Sequence, residues 1–253
     1  MLVFFYDKTF EGLLTAIFDA YSRKTFPSKL LGVGDIPPLF LTEEYTVISD
    51  EEKSGRVWTA LEKKMTKGAC NMLTHLWLSE EAGSDELLFR YIRKTIDSLV
   101  SIETNFADAD VLEAHQLARK VSHEGHYLKQ FVRFQKAADD IFFAAVSPRY
   151  NVLPLIIEHF KDRFADQKWV IYDLKRHYGY YYDLQTCEEM TLDDDTHLLS
   201  GKLDEKLMAE DEKVFQELWK GYFKSMTIKE RINLKLQRQH MPKRFWKYLT
   251  EKQ

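Results

Sequence analysis

Arg231, Lys235 and Arg238 recur at spacings of four and three residues, which on an α-helix gathers three cations on one face. Ile228, Ile232 and Leu236 fall roughly on the other face, and Lys243, Arg244 and Lys247 follow at once. Trp219, Tyr222, Phe245, Trp246 and Tyr248 are interleaved with these cations. Cations neutralise phosphates and aromatic rings stack on unpaired bases, so the pattern predicts a nucleic-acid contact surface. A solvated basic face over a core built from the same rings has the same pattern, and the sequence leaves both open.

A second group of residues suggests acid/base chemistry. Ser122-His123-Glu124-Gly125-His126 resembles a zinc-protease helix, but its histidines are three apart where that motif needs four, which excludes the reading. Glu124 with His126 remains an acid/base pair on paper, against the alternative of a buried, hydrogen-bonded histidine. After Pro154, His159 and Arg163 lie four residues apart among Ile156, Phe160 and Phe164. They can meet a bound anion, or Arg163 can stack on a Phe or pair with Asp173 across a sheet. Tyr178, Tyr180 and Tyr182 alternate onto one strand face, either to stack bases or to pack beneath a helix. Asp193-Asp194-Asp195 can bind a hard cation or simply be solvated. Gly32-Val33-Gly34 lacks the third glycine and following helix of a dinucleotide site, and neither a phosphate loop nor a nucleophile elbow is present. With only Cys70 and Cys187, no disulfide framework or cysteine zinc site is arguable. No metal and no cofactor are expected.

Charge placement singles out the end of the chain. Asp183 to Glu212 holds 11 acidic and 2 basic residues, whereas Lys213 to Gln253 holds 3 acidic and 11 basic. A basic block after an acidic one implies an anion-binding surface or a clamp between the two blocks. The net charge of −4 excludes a protein coated in phosphate-binding residues, and 45% hydrophobic residues exclude disorder. Met1 to Tyr6 is apolar but too short for a signal core or a membrane span. It reads as a buried first strand, and a reducing cytosol is the expected compartment.

The elements that must position these groups follow from periodicity. Leu13, Leu14, Ile17, Phe18 and Tyr21 keep helical spacing after a cap at Asp7 or Thr9. Phe26 to Pro38, with its prolines and glycines, reads as a loop, and Leu39 to Ser49 as a short strand. Residues 54–130 are mainly helical. Phe131 to Phe134 and Ile141 to Val146 predict a hairpin around Ala138-Asp139-Asp140, Leu153 to Ala165 a helix, and Trp169 to Asp173 and Tyr178 to Leu184 two strands. The expected fold is α+β within one family-wide unit: a mainly helical N-terminal lobe with short strands (1–130), then an antiparallel ββαββ sheet region with basic C-terminal helices (131–253). Thr227-Ile228-Lys229-Glu230 fits a capping box opening a helix that Pro242 ends.

Several segments together resemble the bacterial family called probable DNA metabolism protein. They are Phe5-Tyr6-Asp7, Thr9-Phe10-Glu11-Gly12-Leu13-Leu14, Glu124 with His126, Phe131 through Phe134, and His159-Phe160 with Arg163-Phe164. Trp169 with Ile171 through Asp173, Leu218-Trp219-Lys220 with Tyr222, and Met241-Pro242 through Trp246 complete the set. The match spans nearly the whole chain, although Lys8 stands where the family often has a small residue. The resemblance implies a partnership with a radical-SAM protein proposed in DNA modification or repair, and a related domain is fused to some uracil-DNA glycosylases. It implies no reaction. The polar residues it carries over are Glu124, His126, Arg133, His159, Arg163, Asp173, Arg231 and Arg244.

The leading expectation is a DNA repair or modification accessory protein. Arg231, Lys235, Arg238, Lys243, Arg244 and Lys247, with Trp246 and Arg163, would contact the nucleic acid. One alternative is an enzyme acting on damaged nucleic acid, with His126 or His159 as acid/base beside Glu124 or Asp173. Another is a scaffold whose basic block docks an acidic protein surface.

Overall fold

The computed structural model describes residues 1–192, 203–204 and 206–252. The chain divides into two compact units, residues 1–122 and 123–253.

In the first unit, β1 (Leu2–Tyr6) lies between β2 (Lys29–Gly32) and β3 (Glu43–Thr46), parallel to both. Helix α1 (Phe10–Arg23) connects β1 to β2, and a helical crossover returns the chain in the same direction, so this pair must be parallel. Thr9 caps α1 by accepting the Gly12 amide at 2.9 Å, while its own amide and hydroxyl bond to Asp7. Strand β2 falls inside the segment expected to be a loop: its backbone pairs with β1 despite flanking prolines, and Leu30 enters the core. The helical stretch resolves into α2 (Glu51–Lys64), α3 (Lys67–Trp77), α4 (Ser84–Asp97) and α5 (Ala109–Phe131). Asp50 and Thr66 cap α2 and α3 through their side chains. Gly83 at φ +83 supplies the left-handed turn before α4. Phe4, Tyr6, Leu13, Ile17, Leu61, Leu73, Leu88 and Ile92 form the core.

The second unit is built on five strands in sequence order: β4 (Gln135–Lys136), β5 (Phe142–Val146), β6 (Trp169–Asp173), β7 (Tyr178–Tyr182) and β8 (Cys187–Met190). The expected antiparallel sheet is corrected here. Strands β5 and β6 are parallel, because α6 (Leu153–Arg163) carries the chain back between them, and the other pairs are antiparallel. Phe131 ends α5, and only Gln135 and Lys136 make the first arm of the hairpin. Strand β8 was not foreseen, since Cys187-Glu188-Glu189-Met190 has no β-branched residue; it is an edge strand paired only with β7.

The tyrosine stripe packs inward. Tyr182 is buried against Trp169, with ring centroids 5.4 Å apart, and Tyr178 and Tyr180 are half-buried. Tyr178 donates its hydroxyl to Asn151. Asp193-Asp194-Asp195 lies outside the described residues. Among the described residues no helix is long and apolar enough to cross a membrane.

Candidate functional site

Helix α7 (Glu212–Met226) has helical apolar spacing, yet Phe215, Leu218, Tyr222 and Met226 are exposed along it. The predicted capping box does not form. Thr227 ends α7, and its hydroxyl donates to the Phe223 carbonyl at 2.7 Å, the back-bonding to residue i−4 that competes with an N-cap role. A single 3-10 turn, Lys229–Arg231, follows. Then Asn233 starts α8 (Leu234–His240) by accepting the Leu236 amide at 3.0 Å. Arg231 is therefore on a different element from Lys235 and Arg238, and the continuous three-cation face is replaced by an irregular run. All three cations are exposed, as is Lys243.

Beyond Pro242 the chain forms a 3-10 stretch, Lys243–Tyr248. Phe245 and Tyr248 point into the protein and are buried, so they are not available to stack on bases. Arg244 makes an ion pair with Glu124, and its guanidinium lies 4.7 Å from the Phe245 ring. Lys247 sits 4.6 Å from the Tyr248 ring. Trp246 is partly buried; its indole donates to the Met241 carbonyl at 2.9 Å, with Lys252 at 5.2 Å from the ring. Arg163, exposed at the end of α6, lies 5.8 Å from the ring of Phe164.

The acid/base candidates are not assembled into a site. Glu124 is buried and accepts the Arg149 amide at 2.9 Å as well as Arg244. His126 is exposed and bonds Gln130, not Glu124. Fully buried Asp173 accepts from Arg176 at 2.8 Å and from the Lys175 amide at 2.9 Å. Burial pushes its carboxyl above the usual range, opposed by Arg176. His159 stacks edge-on against Phe160; burial first, then the charges of Lys129 and Arg163, hold its imidazole below the ordinary value. Glu124 and Asp173 are linked through Arg149, whose amide donates to Glu124 and whose carbonyl accepts from the Arg176 that pairs with Asp173. Neither histidine is hydrogen-bonded to either carboxylate. Among the described residues no group of three or more His, Cys, Asp or Glu is placed to hold a metal ion.

A cavity of about 710 Å³ lies beside α7. Phe134, Phe142, Phe215 and Trp219 contribute rings to its lining, and Arg133, Glu212 and Gln216 contribute polar groups. Glu251 anchors one side: it accepts from Arg133 at 2.8 Å and from the Trp219 indole at 2.9 Å. Burial raises the Glu251 pKa, but those two hydrogen bonds, a backbone hydrogen bond and the charge of Arg133 together hold the carboxyl below its usual range. Arg133 also lies 5.8 Å from the Trp219 ring. Trp219 stood among the interleaved aromatic residues and Arg133 among those carried by the family resemblance, whereas Glu212, Phe215 and Gln216 were not singled out. The available signal was Phe215 and Trp219 at i and i+4, following an acidic residue in the first turn of an amphipathic helix.

The class so defined is an α+β protein whose second unit joins a mixed sheet to an exposed basic C-terminal run. Residues 82–251 match the family described as Domain of unknown function (DUF4130), and the chain belongs to that family. No curated protein and no solved structure matches the chain.

Proposed function

We propose that this protein binds nucleic acid, DNA in particular, through the exposed cations between Lys229 and Lys243. In this reading it acts as an accessory to DNA modification or repair beside a radical-SAM protein. The observation that carries the binding is the exposure of Arg231, Lys235, Arg238 and Lys243 on short, irregular elements, with no acidic residue between Arg231 and Lys243 and only Glu230 just before them. Such a run follows a phosphate backbone, and releasing counterions from it supplies the affinity. Support for the DNA pathway comes from the resemblance to the DNA metabolism family described above.

Fluorescence anisotropy with single- and double-stranded oligonucleotides, titrated over salt, tests the binding. Changing Arg231, Lys235 or Arg238 to Ala should each lower the slope of log K against log salt by about 1. Arg244→Ala should lower it less, because Glu124 already neutralises that guanidinium. Absence of binding at low salt removes the reading.

One observation favours a protein partner in addition. Phe215, Leu218, Tyr222 and Met226 make an exposed apolar stripe on α7, the kind of surface that docks against another protein. Co-purification of the radical-SAM protein in nuclease-treated extract, lost in Leu218→Asp, would support the scaffold role.

A further inference from the structure

The cavity beside α7 has the size and lining of a small-molecule site. Its volume of about 710 Å³ falls within the ~300–1,000 Å³ usual for such sites. Rings from four positions, two on the sheet side and two on α7, offer faces and edges to a flat ligand. Trp219 is held by its hydrogen bond to Glu251 and by Arg133 near its ring, so it loses little rotamer freedom when a ligand stacks on it.

Glu212 sets the polar requirement. Its side chain is more than nine-tenths buried at the cavity, where one oxygen accepts the Lys136 amide at 3.0 Å and the other the Gln216 amide at 2.8 Å. A carboxylate offers about four acceptor positions, so both oxygens keep capacity for a ligand. Because it only accepts, it suits a flat ring with two adjacent N–H donors on one edge. It opposes a ring that sets a carbonyl or bare nitrogen beside its donor. Among the bases, guanine has that edge, with its ring N–H beside its amino group. Adenine and cytosine place a bare ring nitrogen beside the amino group, and thymine flanks its N–H with carbonyls.

We propose that this cavity receives an unpaired guanine, stacked on Trp219 and Phe215 with its Watson–Crick edge on Glu212. As a feature of a bound polymer this rests on the nucleic-acid reading above, with the terminal cations holding the backbone while the cavity takes one base. The chemistry follows the general mode of single-strand recognition, in which stacking supplies affinity and an edge contact supplies choice.

Two measurements on the full chain test it. In the first, guanosine, adenosine, cytidine and thymidine are titrated by ligand-detected NMR against the wild type, Glu212→Gln and Trp219→Ala. Guanosine should bind at least about tenfold more tightly than the others, Glu212→Gln should erase that preference, and Trp219→Ala should weaken guanosine about tenfold. Trp219 and Phe215 are both exposed, so Trp219→Ala, with Phe215→Ala beside it, provides a folded control should Glu212→Gln unfold. Equal binding of all four nucleosides, no binding of any, or a preference unchanged in Glu212→Gln overturns the proposal.

In the second, an oligothymidylate with one central dG is compared with the all-dT strand at low salt. Tighter binding of the dG strand, lost on Trp219→Ala, supports the proposal. If neither strand binds yet guanosine does, the polymer reading falls and the cavity assignment stands. If both strands bind equally and guanosine does not bind, the cavity assignment falls and the polymer reading stands.

Discussion

Replacing Glu124 separates a structural carboxylate from a catalytic one. The side chain is buried, accepts the Arg149 amide at 2.9 Å and pairs with Arg244, whose side chain is 45% exposed. Glu124→Ala leaves the Arg149 N–H without its acceptor, a loss of about 1–3 kcal/mol. The ion pair adds little, about 0.5–1 kcal/mol, because a half-exposed guanidinium is well screened and can turn to water. The expected destabilisation is about 1.5–4 kcal/mol, or a fall in Tm of roughly 3–16 °C for a chain of this length. Glu124→Gln keeps an acceptor for the amide and loses only the charge, so it should cost about 1 kcal/mol or less. Thermal and urea unfolding followed by circular dichroism would measure both, and a cycle with Arg244→Ala would show a coupling of about 0.5–1 kcal/mol. An alanine variant within about 0.5 kcal/mol of wild type, or strictly additive losses in the cycle, would refute the placement of this carboxylate at the centre of a structural knot.

Other substitutions probe separate parts of the molecule. Gly179→Ala should destabilise by about 1–3 kcal/mol, since an added Cβ would sit 2.5 Å from the Ile171 carbonyl oxygen and 2.9 Å from the Tyr172 Cα; an unchanged urea midpoint would contradict that close approach. At Asp110, burial raises the carboxyl pKa but hydrogen bonds from Arg90 and Lys94 outweigh it, so the folded value lies below the unfolded one. Its stabilisation is therefore present at neutral pH and lost as pH falls below about 4, and Lys94→Met should flatten that acid loss in a pH series of unfolding curves. The His159 imidazole, disfavoured as a cation by burial and by Lys129 and Arg163, should titrate below an ordinary histidine in a two-dimensional NMR series. A midpoint at or above that of an exposed histidine would show its surroundings to be wetter than described.

Much of the element pattern was legible because it rests on local signals. Thr9 at the start of α1, the apolar spacing through α2 to α5, the unbroken apolar run Trp169–Tyr172 and the tyrosine-rich run Tyr178–Tyr182 each appear in a short window. Strand direction in the second sheet was not legible, because it depends on where α6 returns the chain and not on any residue in β5 or β6. The C-terminal run misled for a local reason. Thr227 and Glu230 have capping-box spacing, but the Thr227 hydroxyl has a nearer acceptor in the preceding helix, and Asn233 takes over as cap. Glu124 and Arg244 are 120 residues apart, so neither residue's neighbours in sequence could announce the pair. The cavity beside α7 draws on β4, β5, α7 and the residues near Thr250, a grouping that exists only after folding.

The parallel pairing of β5 with β6 bears on the order in which the second sheet assembles. Strands β6, β7 and β8 are joined by tight turns and can zip together from neighbouring residues. By contrast, Phe142 must find Trp169 across the whole of α6, so that closure carries the larger loop entropy and comes later. On the ribosome, the β6–β8 meander would serve as the template onto which the earlier-synthesised hairpin docks. Until it does, the flank of β6 that later faces β5 stays open, and with it Val170 and Ile171 at the middle of the sheet.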